Sequence, residues 1–441
     1  MTKKTRDFLF GTFVFLFVVI TITLSLYATG YRFNLTWPLK LNLMLVKTGT
    51  LALDSDPHGA TVLITSETKI SSVFSFNSKK SKITPIKIKN LLPGEYTVSF
   101  TLENYWPFEK KLNVNPEQTT FLENVILFKK SLPLNIFSSK TQAISYSPNG
   151  NYAWLKDSGE IINLKTEQAA TKVSAAKLNW VGSKQLLAGS KLLTLDNNSS
   201  YDYNSLIGEA DEAKMSENGD FLIYLSKNNL AAFNFSSKST TIVPASGQIL
   251  SYGTSGNILF LVISEKNKTE LKSFDLINKN FIASADLLNS KNFSINQDNN
   301  KNLILTDNEH KIIYLLASDN SNSIIRDVLR GATVFKWIDG NKLAYTSESE
   351  VYIYDLSQSK SYLITRLSEK INSLAWSPNN YLIYATDNNI GTINLTNSGN
   401  DITILWRGNN LSSLYLDGKN SILYFSGAIG QQSGLYKLAL Q

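Results

Sequence analysis

Trp376-Ser377-Pro378-Asn379-Asn380-Tyr381-Leu382-Ile383-Tyr384 places a large apolar residue at the end of one strand, then a polar turn, then a second apolar strand. The order recurs. Ser147-Pro148-Asn149-Gly150 leads into Tyr152-Ala153-Trp154-Leu155, and Ser216-Glu217-Asn218-Gly219 into Phe221-Leu222-Ile223-Tyr224; Asp339-Gly340 marks another such turn. Proline presets φ, while asparagine and glycine tolerate the left-handed region, so these clusters reverse the chain between strands. The apolar residue ahead of the turn is Tyr146, Trp180, Met215, Tyr252, Ile295, Trp337, Trp376 or Tyr415, at intervals of about 34 to 43 residues.

A third strand is equally regular. Val351-Tyr352-Ile353-Tyr354-Asp355-Leu356 is its clearest form. Ile161–Leu164, Leu192–Asp196, Leu230–Phe235, Leu271–Leu276, Ile312–Leu316, Ile390–Leu395 and Leu435–Leu440 are its counterparts. A fourth, more variable strand follows most of them. Four short strands per repeat, rich in aromatic and β-branched residues, predict a β-propeller over residues 129–441. Eight repeats allow seven or eight blades, because ring closure often divides one blade between the two ends of the fold. Leu132–Phe137 is placed to pair beside Leu435–Leu440 and close the ring. These repeats resemble the TolB-type propeller family, whose Ser-Pro-Asp-Gly turns and Ile-Tyr-x-x-Asp-like strands match here with asparagine for aspartate at Asn149 and Asn379. WD-type propellers are less similar, since no Gly-His…Trp-Asp pair recurs.

Between residues 48 and 128 the spacing is different. Thr50–Ser55, Ala60–Thr65, Pro85–Lys89, Tyr96–Leu102, Phe108–Val114 and Thr119–Phe128 read as short strands, with Val73–Phe76 β-prone inside a polar insertion. No stretch has helical periodicity, so a sheet or small β-sandwich is expected. Pro57-His58-Gly59-Ala60, Thr84-Pro85, Leu92-Pro93-Gly94-Glu95-Tyr96 and Asn104-Tyr105 resemble the PEGA domain, with His58 in place of glutamate and Asn104 in place of glycine. The resemblance implies a small β domain of surface or envelope proteins with a binding or spacer role. Gly59 and Gly94 read as turn residues, and Tyr96 and Tyr105 as covers of the core.

Phe8–Tyr27, FLFGTFVFLFVVITITLSLY, carries no charge and is long enough to cross a bilayer core. Lys3, Lys4 and Arg6 precede it, with Asp7 beside them; Tyr27, Tyr31, Arg32 and Trp37 follow. Basic residues are retained on the cytoplasmic side, which predicts N-terminus inside and the bulk of the chain outside. A cleaved leader would have a shorter apolar region and small residues at the cut site, and Leu26 is a poor −3 residue ahead of Thr29. A retained single-pass anchor is therefore expected. The domains read as a cytoplasmic tail (1–7), a transmembrane anchor (8–28), a stalk (29–47) in which Leu39, Leu41, Leu43 and Leu45 alternate with polar residues, a sandwich (48–128) and the propeller (129–441). The fold class is all-β with one N-terminal helix.

The 441 residues carry a formal charge of +7 and no cysteine. Disulfides, thiolate metal sites and cysteine nucleophiles are thereby excluded. About 16 basic residues face 9 acidic ones up to Lys130, and about 27 face 27 beyond it, so the excess is membrane-proximal. That pattern suits an anionic surface such as lipid headgroups or wall polymer, and not a nucleic-acid interface. Lys79, Lys80 and Lys82 read as a solvated loop.

Two histidines, His58 and His310, lie in different modules, and neither adjoins a nucleophile motif. Ser433, in Gly430-Gln431-Gln432-Ser433-Gly434, lacks the nucleophile-elbow pattern and reads as a loop between strands. There is no glycine-rich phosphate loop. Asp298-Asn299-Asn300 reads as a turn before a calcium site, and the sequons at Asn34 and Asn394 match chance expectation for an asparagine-rich chain. No catalytic, cofactor-binding or metal-ligating residue is assigned. The expected function is binding or scaffolding in a bacterial envelope, toward an envelope protein or cell-wall glycan. The alternatives are a propeller hydrolase or lyase and a structural surface spacer.

Overall fold

The computed structural model describes residues 3–33, 45–66, 82–140, 143–173, 178–297, 302–317, 323–395 and 401–441. Trp37, most of the alternating stalk, Val73–Phe76, Lys79, Lys80, Asp298–Asn300 and the sequon residues Asn34–Thr36 and Thr396 lie outside the described residues. The chain divides into two compact units, residues 1–131 with 440–441, and residues 132–439.

Helix α1 (Lys3–Ala28) contains the apolar stretch and buries none of its residues. It is long and apolar enough to cross a membrane. Its threonines bond back onto the helix. Thr12, Thr21 and Thr23 donate to the carbonyls of Phe8, Phe17 and Val19 at 2.9, 2.7 and 2.8 Å. The hydroxyls are thereby satisfied internally, which suits a surface facing hydrocarbon.

Past α1, β1 (Tyr31–Phe33) pairs antiparallel with β2 (Leu45–Lys47). β3 (Gly49–Asp56), β4 (Thr61–Ser66), β5 (Lys82–Ile83), β6 (Ile86–Leu91), β7 (Gly94–Thr101), β8 (Phe108–Val114) and β9 (Thr119–Ile126) then build two sheets, ordered β6-β3-β9 and β5-β4-β7-β8. β3 and β9 run parallel, and every other pair is antiparallel. Inward residues alternate along each strand. Leu51, Leu53 and Leu122 from one sheet meet Val62, Val98, Phe100 and Phe108 from the other in one core.

β10 (Leu134–Ser138) opens the second unit, whose described residues form eight four-stranded antiparallel sheets. They occupy residues 144–172, 178–202, 212–242, 248–287, 293–330, 334–366 and 371–407 (sheets 1 to 7), while sheet 8 joins three strands of 409–439 to β10. β10 pairs with the last strand, Leu134 opposite Lys437 and Phe137 opposite Leu435, so the closure read from the sequence is present. Packing completes it. Ile144, Ala153 and Leu155 of sheet 1 share a cluster with Tyr424 and Leu435 of sheet 8. Consecutive sheets meet in the same way elsewhere, as with Phe221 and Ile223 of sheet 3 against Tyr252 and Leu261 of sheet 4.

The recurring turns have a common device. Ser147 is buried; its backbone N–H donates to the Tyr152 carbonyl at 2.9 Å, and its Oγ accepts the Tyr152 N–H at 3.0 Å. Ser216 makes the same two bonds to Phe221, at 2.8 and 2.9 Å. Asn163, Asn234, Asp275 and Asp355 end third strands, and each accepts two N–H groups of the following turn through Oδ1. This is why a short acceptor side chain recurs there. Gly150 has φ +68°, and a Cβ on it would collide with the Tyr415 ring of sheet 8, so both conformation and space demand glycine.

Two expectations need correction, on where some strands end and on Ser433, and one element was not anticipated. Tyr252, Ile295 and Tyr415 lie within their strands, Gln248–Ser255, Phe293–Gln297 and Asn409–Asp417, and do not end them. A short helix, Asn204–Ile207, stands between sheets 2 and 3. Ser433 is inside the last strand, opposite Ala428, and the reversal is made by Gly430, whose φ is +62°.

Candidate binding site in the propeller channel

The first strands of neighbouring sheets adjoin one another and so form the innermost layer of the ring. Hydrogen bonds stitch them together from sheet to sheet. Trp180 Nε1 donates to Ser145 Oγ at 3.2 Å, and Asn179 Nδ2 to the Ala213 carbonyl at 2.9 Å. The Ile295 N–H donates to Ser251 Oγ at 3.0 Å, the Leu414 N–H to Ser373 Oγ at 2.9 Å, and the Ile144 N–H to Ser413 Oγ at 3.2 Å. The last of these bridges sheets 8 and 1.

A cavity of about 400 Å³ opens where the first strands of sheets 2 to 5 come together. Its wall alternates apolar groups, such as Ile249 and Phe293, with polar ones. Glu212 and Lys214 stand two apart on one strand and therefore share a face. Lys214 Nζ lies 3.4 Å from Glu212 Oε1, donates to the Tyr252 carbonyl at 2.7 Å, and sits 4.5 Å from the centre of the Tyr252 ring. The Tyr252 hydroxyl donates to the Glu212 carbonyl at 3.2 Å. Burial, aided by the Glu212 carboxylate, pushes the Tyr252 hydroxyl well above its ordinary range, so it stays a donor and not a base. At the same cavity Lys156 lies over the Trp154 ring at 6.0 Å. This wall offers ammonium, carboxylate, amide and aromatic surface, which are the elements of recognition. Among the described residues no group of three or more histidine, aspartate or glutamate side chains converges as a metal site would.

The two histidines are each engaged with an aspartate. His58 Nδ1 lies 2.9 Å from Asp54 Oδ1 on the exposed side of the sandwich. His310 Nδ1 lies 2.7 Å from Asp307 Oδ2 in a turn of sheet 5, where buried Asp307 also accepts the Glu309 and His310 N–H groups. They lie in separate units. Glu212 and Lys214 escaped the reading of the sequence. The available signal was a pair of charges at alternate positions in a strand otherwise read as half-buried.

In the sandwich the motif residues prove to be joints. Buried Thr84 Oγ1 accepts the N–H groups of Gly59 and Ala60 at 3.1 and 3.0 Å and bonds Ser55 Oγ at 2.7 Å, fastening the Pro57–Ala60 turn to the Thr84-Pro85 segment. The Tyr96 hydroxyl donates to the Leu92 carbonyl at 2.8 Å and pins the Leu92–Tyr96 turn. Asn104 has φ +64°, the region that glycine would take and that asparagine tolerates best among the other residues.

The model of the PEGA domain matches residues 48–126. No curated protein matches the chain. Among solved structures, the Dos1 propeller is 15% identical with a TM-score of 0.47, covering 71% of this chain and 96% of that one. The Cps50 (Swd1) β-propeller domain of Myceliophteria thermophila is 12% identical with a TM-score of 0.41, covering 58% and 96%. Porphyromonas gingivalis dipeptidyl peptidase 4 is 12% identical with a TM-score of 0.44, covering 66% and 57%. Identities and TM-scores this low carry nothing over to this chain, and its architecture rests on its own strands. The chain thus carries an N-terminal apolar helix, a PEGA domain and, in its ring of four-stranded sheets, a β-propeller.

Proposed function

We propose that the chain is a single-pass membrane protein of a bacterial envelope, N-terminus in the cytoplasm, whose propeller is a binding scaffold for an envelope protein or glycan. In this reading α1 is the retained anchor, and Lys3, Lys4 and Arg6 stay inside. One observation carries the binding role: the channel cavity, in which Lys214, Glu212 and Tyr252 hold one another in place beside apolar wall. Such a wall recognises a partner through fixed polar groups on a rigid ring. Its ion pair and protonated tyrosine supply no nucleophile with an adjacent base, which weighs against the hydrolase or lyase alternative.

The test is a photo-crosslinking residue introduced into the full-length protein in cells, at Leu250 in the cavity or at Ile242 on an outer strand. A discrete adduct from position 250 and none from 242 is the expected result. No adduct from either position sinks the channel reading and favours a spacer. Protease digestion of intact cells checks the compartment, and a propeller protected until lysis would overturn the outward orientation.

A further inference from the structure

The three-stranded sheet of the PEGA domain turns one face to the core and the other away from it. Leu51, Leu53, Ile88 and Leu122 point inward. Alternation therefore sends Lys87, Lys89, Ala52, Thr119 and Phe121 to the outer face. The registers place them in one row: Ala52 stands opposite Lys87 on β6 and opposite Phe121 on β9. Phe121 is 61% exposed, far more than a core aromatic, and both lysines are exposed. Among the described residues neither Lys87 nor Lys89 has a carboxylate partner.

Charge is sorted along this sheet. The end at which β3 begins is tied to the end of α1, because Thr48 donates to the Gly30 carbonyl through both N–H and Oγ1, at 2.9 and 2.8 Å. Lys47, paired with Glu117, and Arg32, stacked 3.8 Å over the Tyr27 ring, stand at that end. Lys89 and Lys87 follow, since β6 runs back toward Leu91 opposite Gly49. The acids of the same face, Asp54 and Glu123, lie toward the far end, where β3 and β9 finish. The positive half of the face, and its exposed phenyl ring, are thus the half nearest the apolar helix.

We propose that this face lies against the anionic headgroups of the leaflet from which α1 emerges, with Lys87 and Lys89 on lipid phosphates and Phe121 in the interfacial layer. The inference rests on α1 being a retained anchor. Lipid is the partner, and not a soluble anionic polymer, because an exposed phenyl ring gains nothing from a hydrated polyanion and gains burial from a bilayer interface. The lysines supply the attraction, and their effect falls within a Debye length of the surface. The domain is then held down on the membrane at two points, its helix and its outer sheet.

The absence of cysteine makes the test direct. Full-length protein carrying Thr119→Cys, labelled with a fluorophore, is placed in nanodiscs with or without phosphatidylglycerol, and quenching by headgroup-labelled spin-probe lipid is read. Leu63→Cys, on the outer face of the other sheet, is the reference. Quenching at 119 exceeding that at 63 is expected only in anionic discs. The affinity for anionic lipid read from it should fall about fivefold for each of Lys87→Gln and Lys89→Gln, and further with Phe121→Ser. Equal quenching at the two positions, or quenching indifferent to these substitutions, overturns the proposal. Release by added soluble polyphosphate in spite of Phe121 would assign the face to anions in general and overturn the lipid assignment. Failure of α1 as an anchor gives a different signature, since the protein would not co-elute with the discs at all.

Discussion

The PEGA domain and the propeller are both antiparallel-rich β structures, yet they close their cores differently. In the sandwich, two sheets face each other over a single cluster in which Phe100 meets Phe108 edge-on, ring centres 6.0 Å apart. In the ring, the apolar clusters of the described residues span from one sheet to the next. Among the described residues, each of these clusters is shared by two consecutive sheets, as with sheets 5 and 6 through Ile313 and Tyr345, or sheets 1 and 2 through Trp154 and Leu186. A lesion in the sandwich therefore reaches the whole module, while a lesion in the ring is confined to one seam unless it strikes the seam that closes the circle.

The sharpest break in that comparison is Phe100→Ala. Phe100 is wholly buried, and its truncation should cost about 3–5 kcal/mol, enough to unfold the PEGA domain. Hydrogen exchange should show β3 to β9 losing protection while the propeller strands keep theirs; loss in both would refute independent cores. Next is Gly434→Ala. Its new Cβ would run into the Phe137 carbonyl of β10, at a cost of about 1–3 kcal/mol. Thermal unfolding should show the propeller transition lowered, with exchange rising first in 134–138. A similar loss spread evenly over all sheets would mean that closure is not the weak joint.

A smaller effect is expected of Ser147→Ala and Ser216→Ala, each removing the Oγ acceptor of one turn, for about 1 kcal/mol. The two should add, because their sheets share no seam; strong coupling measured by a double-mutant cycle would contradict the local picture. The smallest is a pH effect at Glu369. The Thr386 hydroxyl at 2.5 Å, then the Asn388 and Asn389 groups, hold its carboxyl below the ordinary carboxylate range. A depressed folded-state value means that the stabilisation is present above the unfolded value and is lost as pH falls through the folded one. Glu369→Gln should lower the propeller's stability slightly at neutral pH and leave it unchanged at low pH, where the parent's carboxyl is already protonated, so the acid limb of the stability curve flattens, as read from denaturant midpoints from acid to neutral pH.

Much of the fold was legible because its signals are local and repeated. Ser147 and Ser216 keep the same two backbone bonds, so the same tetrapeptide pattern marks both turns. Phe108–Val114 was readable to the residue because its alternation is bounded by Pro107 and Asn115. Strand ends were less legible. Tyr252 and Tyr415 are large and apolar wherever they stand in an inner strand, so they mark the strand without marking its limit. Ser433 was misplaced because Gly430 to Gly434 reads as a continuous turn, while the reversal is confined to Gly430 and Gln431. The candidate site was hidden for another reason. Glu212, Lys214 and Tyr252 come together only through the juxtaposition of sheets 3 and 4, and no spacing along the chain announces that the carbonyl of one and the hydroxyl of another will meet.

The pairing of β10 with the final strand also sets an order of events. Ser138 and Gln432, which share a hydrogen bond, are separated by 294 positions. A chain delivered N-terminus first must keep the strand 134–138 waiting, unpaired, until the last residues of the propeller arrive. Contacts of so long a range form late and slowly. During synthesis the waiting edge is therefore a target for whatever strand comes near, and the quality of the ring is decided at the Gly430–Gln431 turn, where the returning strand is set on course to its partner.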